Sequence, residues 1–238
     1  MNLGNIFKES LDIVRKNLMI ILPPIIVSVI ITILMLVMVG GAVIKTGTTA
    51  SMPSAGGVAL YSFIIGMIGF VLQAFAQGVT IAMAVELIEK GKGSLRAGMN
   101  TALSKVASLI ATGFIYGLLV TLGMAFFFIP GLIVAYIFMF SFVIIILSDA
   151  GAIGALRGSF NTVKGNFGPS LALFASLLGM GLLVGIVNTA LGRIPLIGHA
   201  IGMVLMGGFL AFISVSMVKG YMILTGGKEG QVKETATE

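Results

Sequence analysis

Cysteine is absent from this sequence of 238 residues, and charged side chains are scarce. Without cysteine the chain cannot form disulfides, thiolate metal sites or a cysteine nucleophile, and its redox compartment cannot be inferred. Only 9% of the residues are charged, whereas an average soluble domain has roughly 25%. Because 58% are hydrophobic, a soluble core of this size could not cover the apolar surface, and the composition predicts a membrane protein.

Histidine occurs only once, as His199, and no acidic residue lies near it in the sequence. A metal site or a general base needs partner side chains, so we interpret His199 as a hydrogen-bonded histidine at the membrane interface. The chain also has no phosphate-binding loop, zinc motif or nucleophile elbow. We therefore predict no catalytic residues, no metal ligands and no cofactor, and we do not expect an enzyme.

The acidic residues near the ends of apolar segments allow two interpretations. Glu89 and Asp149 follow long apolar stretches, and we interpret them as helix-end groups at the interface rather than as a paired-carboxylate site. Glu86 lies one turn deeper. We interpret it as the partner of Lys90 or Arg96 in a structural ion pair, and a proton or cation site is the alternative.

Long apolar segments divide the chain into six predicted spans, since about 20 apolar residues cross a bilayer as a helix. The spans are residues 18–44, 58–88, 106–129, 132–148, 167–191 and 200–224. Pro23 and Pro24 predict a bend at the entry to the first span, and Pro130-Gly131 predicts a tight turn between the third and the fourth. The polar segments 45–57 and 226–238 are predicted to be a mobile loop and a disordered cytoplasmic tail.

Basic residues are distributed unevenly between the two sides of these spans. With the N-terminus in the cytoplasm, all of the 14 Lys and Arg residues except Lys45 and Arg193 fall on the cytoplasmic side. This asymmetry predicts a multi-pass protein of the cell membrane with both termini in the cytoplasm. The net charge of +6 comes from single basic residues or pairs beside apolar spans, so no nucleic-acid partner is predicted.

A short amphipathic pattern occurs three times, each time directly before a pair of spans. Apolar residues recur at i, i+4, i+7 and i+11, which places them on one helical face. The three sets are Phe7, Leu11, Val14 and Leu18; Leu95, Met99, Ala102 and Val106; and Leu156, Phe160, Val163 and Phe167. The polar residues in the same register are Lys8 and Asp12; Arg96 and Asn100; and Arg157, Asn161 and Lys164. Such helices are expected to lie in the membrane interface.

We interpret these units as three parallel repeats, residues 3–89, 93–148 and 152–224, each an amphipathic interfacial helix followed by a transmembrane hairpin. The second and third copies match at an offset of 61 positions, as in LRAGMNT and LRGSFNT, and the first matches the second at an offset of 88 in pattern only. The alternative is that any interfacial helix before a span shows this pattern. The predicted fold class is an all-α membrane protein with six transmembrane helices in a single domain, residues 1–225.

Residues 129–168 carry short motifs rich in small residues. They are Gly131, Asp149-Ala150-Gly151, Ala155-Leu156-Arg157-Gly158-Ser159 and Val163-Lys164-Gly165-Asn166. In these motifs the chain resembles a family of uncharacterised polytopic membrane proteins of archaea and bacteria, akin to the membrane domain attached to some glycerophosphodiester phosphodiesterases. The resemblance implies a helical fold with several spans. It does not extend to a phosphodiesterase domain, so it implies no catalysis.

Two glycine pairs have the spacing of close helix contacts. Gly113 and Gly117 lie in the third span, and Gly181 and Gly185 lie in the fifth. Glycines four residues apart let helix backbones approach closely. Each pair is therefore predicted to lie at a contact between two helices.

The second span has one face of small and polar residues: Gly66, Gly69, Gln73, Gln77, Thr80 and Ala84. Lipid cannot satisfy the hydrogen-bond donors of an amide. This intramembrane polar stripe, whose polar members are Gln73, Gln77 and Thr80, is therefore predicted to face protein or water. One interpretation is hydrogen bonding between helices; the other is that Gln73 and Gln77 line a substrate path.

The sequence supports two alternative functions. In the first, the chain is a non-catalytic integral membrane protein that binds membrane lipids, or a membrane protein partner, through its cytoplasmic interfacial helices. Lipid headgroup contacts are then predicted for Lys8, Arg96, Arg157 and Lys164. In the second, three repeats form a small-molecule or ion transporter or channel. A channel needs polar residues at equivalent depths in several repeats, and only the second span has amides near its middle, so the first function is preferred.

Reporter fusions test the predicted orientation. Fusions at Ser51 and Leu196 are expected to report from outside the cell, and fusions at Lys92, Asn161 and in the tail from the cytoplasm, because the basic residues keep their segments inside. A cytoplasmic signal from the fusion at Ser51 would contradict the orientation.

Overall fold

The chain is almost entirely helical, without a strand, in the residues that the structure, a computed structural model, describes: 2–46, 55–126, 128–194 and 197–226. The helices are α1 (Leu3–Lys16), α2 (Leu22–Thr46), α3 (Ala55–Lys90), α4 (Leu95–Ser104), α5 (Val106–Phe126), α6 (Phe128–Ile137), α7 (Ser141–Leu147), α8 (Ala152–Gly165), α9 (Phe167–Leu191) and α10 (Ile197–Leu224). The tail predicted to be disordered, from residue 227 onward, lies outside the described residues, as do residues 47–54 of the predicted polar loop.

Six segments are long and apolar enough to cross a membrane, which confirms the predicted number of spans. They are Leu18–Val37, Gly66–Lys90, Val106–Ala125, Phe128–Leu147, Phe167–Leu191 and Ile197–Leu224. The entry to the first span lies at Asn17 and a 3-10 turn, Leu18–Ile21, and not at the prolines. Pro23 and Pro24 occupy the first turn of α2, where a residue needs no N–H group for helix bonding.

Three spans occupy the centre of the bundle and three its periphery. Within one 18-residue window of each span, 50%, 56% and 39% of the residues are buried in the central spans α3, α6–α7 and α10, against 22%, 17% and 17% in the peripheral spans α2, α5 and α9. The central spans contact one another. Each peripheral span packs between two of them: α2 between α3 and α10, α5 between α3 and α6–α7, and α9 between α10 and α6, where Tyr136 contacts Phe174.

The core lies toward one end of the bundle. Every residue in 79–84 of α3 and in 140–146 around α7 is buried, and a helix that is apolar on all sides must be surrounded by other apolar groups. Three short helices complete this enclosure: α4 packs on α3, α8 on α7, and α1 on α10. We call this the short-helix end of the bundle.

At one equivalent position, each short helix buries a small residue at its contact with the bundle. Gly98 of α4 lies so close to α3 that a Cβ atom would be 2.7 Å from Cγ of Met83 and 3.1 Å from the carbonyl oxygen of Val79. The corresponding residues of the other two, Ser10 in α1 and Ser159 in α8, are fully buried. Small side chains let helix axes approach closely, so these residues set how deeply the short helices sit.

The three short helices end in similar joints. Asn17, Lys105 and Asn166 cap the C-termini of α1, α4 and α8 with φ angles of −132°, −116° and −130°. The side-chain amides of Asn17 and Asn166 donate to the carbonyl oxygens of Ile13 and Thr162 at 3.0 and 3.1 Å. These bonds satisfy terminal carbonyl groups, and the next helical segment starts at the following residue.

The predicted glycine contacts are found for three of the four residues. In α5, the ring of Phe70 from α3 lies so close to Gly113 and Gly117 that a Cβ atom at either would be 3.1 Å from it. A Cβ atom at Gly181 of α9 would be 3.4 Å from an aromatic ring of α10. The prediction for Gly185 is wrong, because this part of α9 faces open space with nothing described within 4 Å of its Cβ position.

The fourth span is not the continuous helix that was predicted, because it is broken between α6 and α7. The hydroxyl group of Ser159 in α8 lies at this break. It donates to the carbonyl oxygen of Ile137 at 2.8 Å and accepts from the N–H group of Phe140 at 3.1 Å. A side chain inserted into the backbone ladder is a known cause of helix kinks, and the serine satisfies groups that lipid could not.

Replacing Ser159 by Ala is expected to lower the free energy of unfolding by about 1–3 kcal/mol, because a buried donor and a buried acceptor lose their partner. Ser10→Ala is the matched control. Ser10 is also fully buried, but its hydroxyl has no partner among the described residues, so its removal should be neutral or stabilising. Thermal unfolding in detergent measures both variants, and equal losses would contradict the role of Ser159.

Candidate membrane-interface site

The short helices do not bury the whole apolar face that the sequence predicts. In each helix the third residue of the apolar set is buried and the second is exposed. The buried residues are Val14, Ala102 and Val163, and the exposed ones are Leu11, Met99 and Phe160, at 48%, 41% and 43% exposure. The apolar residues of the predicted face are therefore divided between a buried and an exposed position. The small residue three positions after the first residue of each apolar set (Ser10, Gly98 or Ser159) allows the short helix to approach the bundle most closely. The buried face of the helix is therefore rotated toward this residue.

The exposed face of each short helix is a stripe of basic and apolar residues spaced three, four and three apart, which places them in one line. We call these the basic–apolar stripes. They are Lys8, Leu11, Arg15 and Leu18 in and after α1; Arg96, Met99, Leu103 and Val106 in and after α4; and Arg157, Phe160, Lys164 and Phe167 in and after α8. All of these residues except Val106 are exposed.

The basic residues predicted to contact headgroups, Lys8, Arg96, Arg157 and Lys164, all belong to these stripes. None of them forms an ion pair with a carboxylate in the part of the chain that the structure describes. In α8 the ammonium group of Lys164 lies 6.0 Å from the ring centroid of Phe160, within reach of a cation–π interaction. The stripes therefore present positive charge and apolar surface side by side.

Lys105, by contrast, directs its charge into the bundle. Its ammonium group donates to the carbonyl oxygens of Ile145, Ile146 and Ser148 at 2.9, 3.1 and 2.5 Å. The carboxylate of Asp149 lies 3.5 Å away. A cation at a helix C-terminus satisfies free carbonyl groups and complements the helix dipole, so Lys105 caps α7. This role was not predicted from the sequence. The available signal was that Lys105 stands where the other two joints have an asparagine.

Lys219 of α10 forms an ion pair with Glu9 of α1. The rings of Phe7 and Phe212 meet beside it, with centroids 5.8 Å apart. These contacts join the last span to the first short helix. The sequence carries no signal for this pair, because its members are 210 residues apart.

The acidic residues near the span ends differ in their contacts and exposure. Glu86 lies 3.6 Å from the ammonium group of Lys90 and accepts the N–H group of Ser94 at 3.2 Å, which confirms the predicted ion pair. Glu89 and His199 are exposed. No three His, Asp or Glu side chains come together as metal ligands would, within the residues that the structure describes.

The predicted polar stripe of α3 lies partly inside the bundle. Thr80 is buried, Gln73 and Gln77 are half-buried, and Gly66 is exposed. The hydroxyl group of Thr80 donates to the carbonyl oxygen of Ala76 in its own helix at 2.8 Å. The two amides therefore lie at the margin of the helix packing, and Thr80 satisfies its donor locally.

Buried hydroxyl groups also occur in the other two central spans. Ser141 lies at the start of α7, 61 positions after Thr80, and Ser214 and Ser216 lie in α10. All four residues are buried. The hydroxyl groups of Ser141 and Ser216 have no hydrogen-bond partner among the residues described. Buried polar atoms are thus present in all three central spans, although amides are not.

Comparisons with known proteins assign no function to this chain. No model of a protein family, no curated protein and no solved structure matches the chain. No site residue can therefore be taken from a related protein. Two features of the molecule bear on function. They are the basic–apolar stripes at the short-helix end, and the broken fourth span with the buried hydroxyl groups of the central spans.

Proposed function

We propose that this protein binds anionic membrane lipid, or a partner at the lipid surface, through its basic–apolar stripes and without catalysis. The observation that carries the proposal is that Lys8, Arg96, Arg157 and Lys164 are exposed beside exposed apolar side chains on all three short helices. At a membrane interface, basic groups reach phosphates while apolar side chains enter the acyl region. Each basic residue near an anionic surface contributes about 1 kcal/mol.

The packing of the short helices supports a common leaflet for the three stripes. Successive spans are antiparallel, so the three central spans run in the same direction, and each short helix packs on the final part of one of them. The stripes then face one side of the membrane. Their positive charge favours the cytoplasmic side, which gives six crossings of the cell membrane with both termini in the cytoplasm.

We also propose that the chain consists of three parallel repeats around an axis along the membrane normal. The joints support this arrangement. Lys105 lies 88 positions after Asn17, and Asn166 lies 61 positions after Lys105. These are the offsets that align the sequence patterns, and all three residues cap a short helix immediately before a peripheral span.

The contacts of the short helices support the repeats independently. Gly98 lies against Val79, and Ser159 forms a hydrogen bond with Phe140. Both members of the second pair lie 61 positions after the members of the first. The third helix, α1, packs on α10, the last span of the chain. This contact between a short helix and a central span supports a ring of three units.

Replacing Lys8, Arg96, Arg157 and Lys164 together by Gln is expected to lower the amount of anionic lipid that co-purifies with the protein. Each lost charge should weaken binding by about fivefold, since about 1 kcal/mol is lost per basic residue. The measurement is the ratio of anionic to zwitterionic phospholipid in the purified protein, compared with the surrounding membrane.

The matched control replaces Lys16 and Lys90 by Gln. These lysines also lie at the short-helix end, but they are paired with Asp12 and Glu86. This variant removes positive charge and leaves the stripes intact, so its lipid ratio should stay near that of the wild type. An unchanged ratio in the four-residue variant would remove the support for the proposal.

The broken fourth span favours a second candidate function, transport of a small molecule or an ion. Interrupted spans form the substrate sites of many transporters, because they free backbone groups inside the membrane. Here the break lies in a central span, and buried hydroxyl groups occur in all three central spans. We prefer lipid binding because the hydroxyl group of Ser159 already bonds to Ile137 and Phe140 at the break.

Replacing Gln73 and Gln77 by Leu distinguishes the two functions. If the amides only support helix packing, the free energy of unfolding should change by less than about 2 kcal/mol per contact, and lipid retention should not change because the stripes are intact. Unfolding in detergent, lipid retention and monovalent-ion flux in reconstituted vesicles are measured together. A wild-type flux that disappears in a stable double variant would favour transport.

A further inference from the structure

The last turn of each short helix places one stripe residue next to the following peripheral span. That residue is Arg15 in α1, Leu103 in α4 and Lys164 in α8, each two positions before the joint. Helices α1 and α8 therefore end in an exposed cation, whereas the last turn of α4 has no basic residue. The three corners between a short helix and a peripheral span thus differ in charge.

An exposed apolar track continues from each of these two cations along the peripheral span. After Arg15 the track consists of Leu18, Met19, Leu22 and Ile26, and after Lys164 it consists of Phe167, Leu171 and Leu178. Each of these side chains is at least 36% exposed. A cation next to a continuous apolar track matches a phospholipid, in which the phosphate lies directly beside the acyl chains.

The corner between α4 and α5 lacks the cation. Leu103 stands in place of the cation, and the nearby Lys105 donates to the backbone of α7. The exposed residues in the first two turns of α5 are the small Ala107 and Ala111, and large exposed side chains follow from Phe114 onward. This corner therefore has apolar surface but no free ammonium group among the described residues.

We propose that the α1–α2 and α8–α9 corners each bind one anionic phospholipid, and that the α4–α5 corner binds none tightly. The phosphate contacts Arg15 or Lys164, and an acyl chain follows the exposed track of α2 or α9. This inference rests on the proposed lipid binding and adds the number, place and chemical class of the bound lipids. A headgroup with net negative charge is favoured over a zwitterionic one, because the positive potential of the stripes attracts it.

Native mass spectrometry of the full chain in detergent, with phosphatidylglycerol added, counts the bound lipids. The wild type is expected to retain two molecules under conditions that remove phosphatidylcholine. Arg15→Gln and Lys164→Gln should each retain one, since the loss of a cation weakens binding by about fivefold. Leu103→Lys supplies a cation at the third corner and should raise the count to three. Thermal unfolding of each variant shows that it is folded.

Lys92→Gln is the matched control, because Lys92 is an exposed lysine in the turn before α4 and does not end a short helix; its count should stay at two. If Arg15→Gln and Lys164→Gln also keep two lipids while the four-residue stripe variant loses anionic lipid, the inference is wrong and the proposed function stands. If the four-residue variant keeps its lipid as well, both are wrong. A count of two for Leu103→Lys, or equal retention of phosphatidylcholine, would also overturn the inference.

Discussion

Close packing of the three central spans at the short-helix end is the constraint on which the other features depend. In a bilayer, apolar side chains gain little by leaving lipid for one another, so van der Waals contact and satisfied backbone groups hold helices together. The fully buried segments 79–84 and 140–146 can exist only if other helices cover them. The short helices provide this cover, and Gly98 and Ser159 allow them to approach closely enough.

This packing also determines which side of each short helix faces outward. Because a small residue at i+3 faces the bundle, the residues of the basic–apolar stripe point away from it. Among the described residues the cations of the stripes have no ion-pair partner, while Lys105 and Lys219 are held by bonds to other parts of the bundle. Basic residues at this end of the molecule therefore either point outward in the stripes or bond to other helices. The side of the helix on which each residue lies decides which of the two it does.

The spans could be predicted from the sequence, because a long apolar segment is a local signal. The joints at Asn17, Lys105 and Asn166 escaped prediction, since the prolines favour a first bend at Pro23 and Pro24. The split of the apolar face could not be predicted: Phe160 and Val163 are both apolar, and hydrophobicity does not distinguish a side chain that faces lipid from one that faces protein. The break bridged by Ser159 and the ion pair of Glu9 with Lys219 also escaped prediction, since both depend on contacts between distant segments.

The contact of α1 with α10 has a consequence for the order in which the chain assembles in the membrane. When α4 and α8 emerge during synthesis, the central spans on which they pack, α3 and α6–α7, have already been made. The partner of α1 is the last span of the chain. The first helix therefore cannot form its contact with α10, or the ion pair of Glu9 with Lys219, until the sixth span has been made.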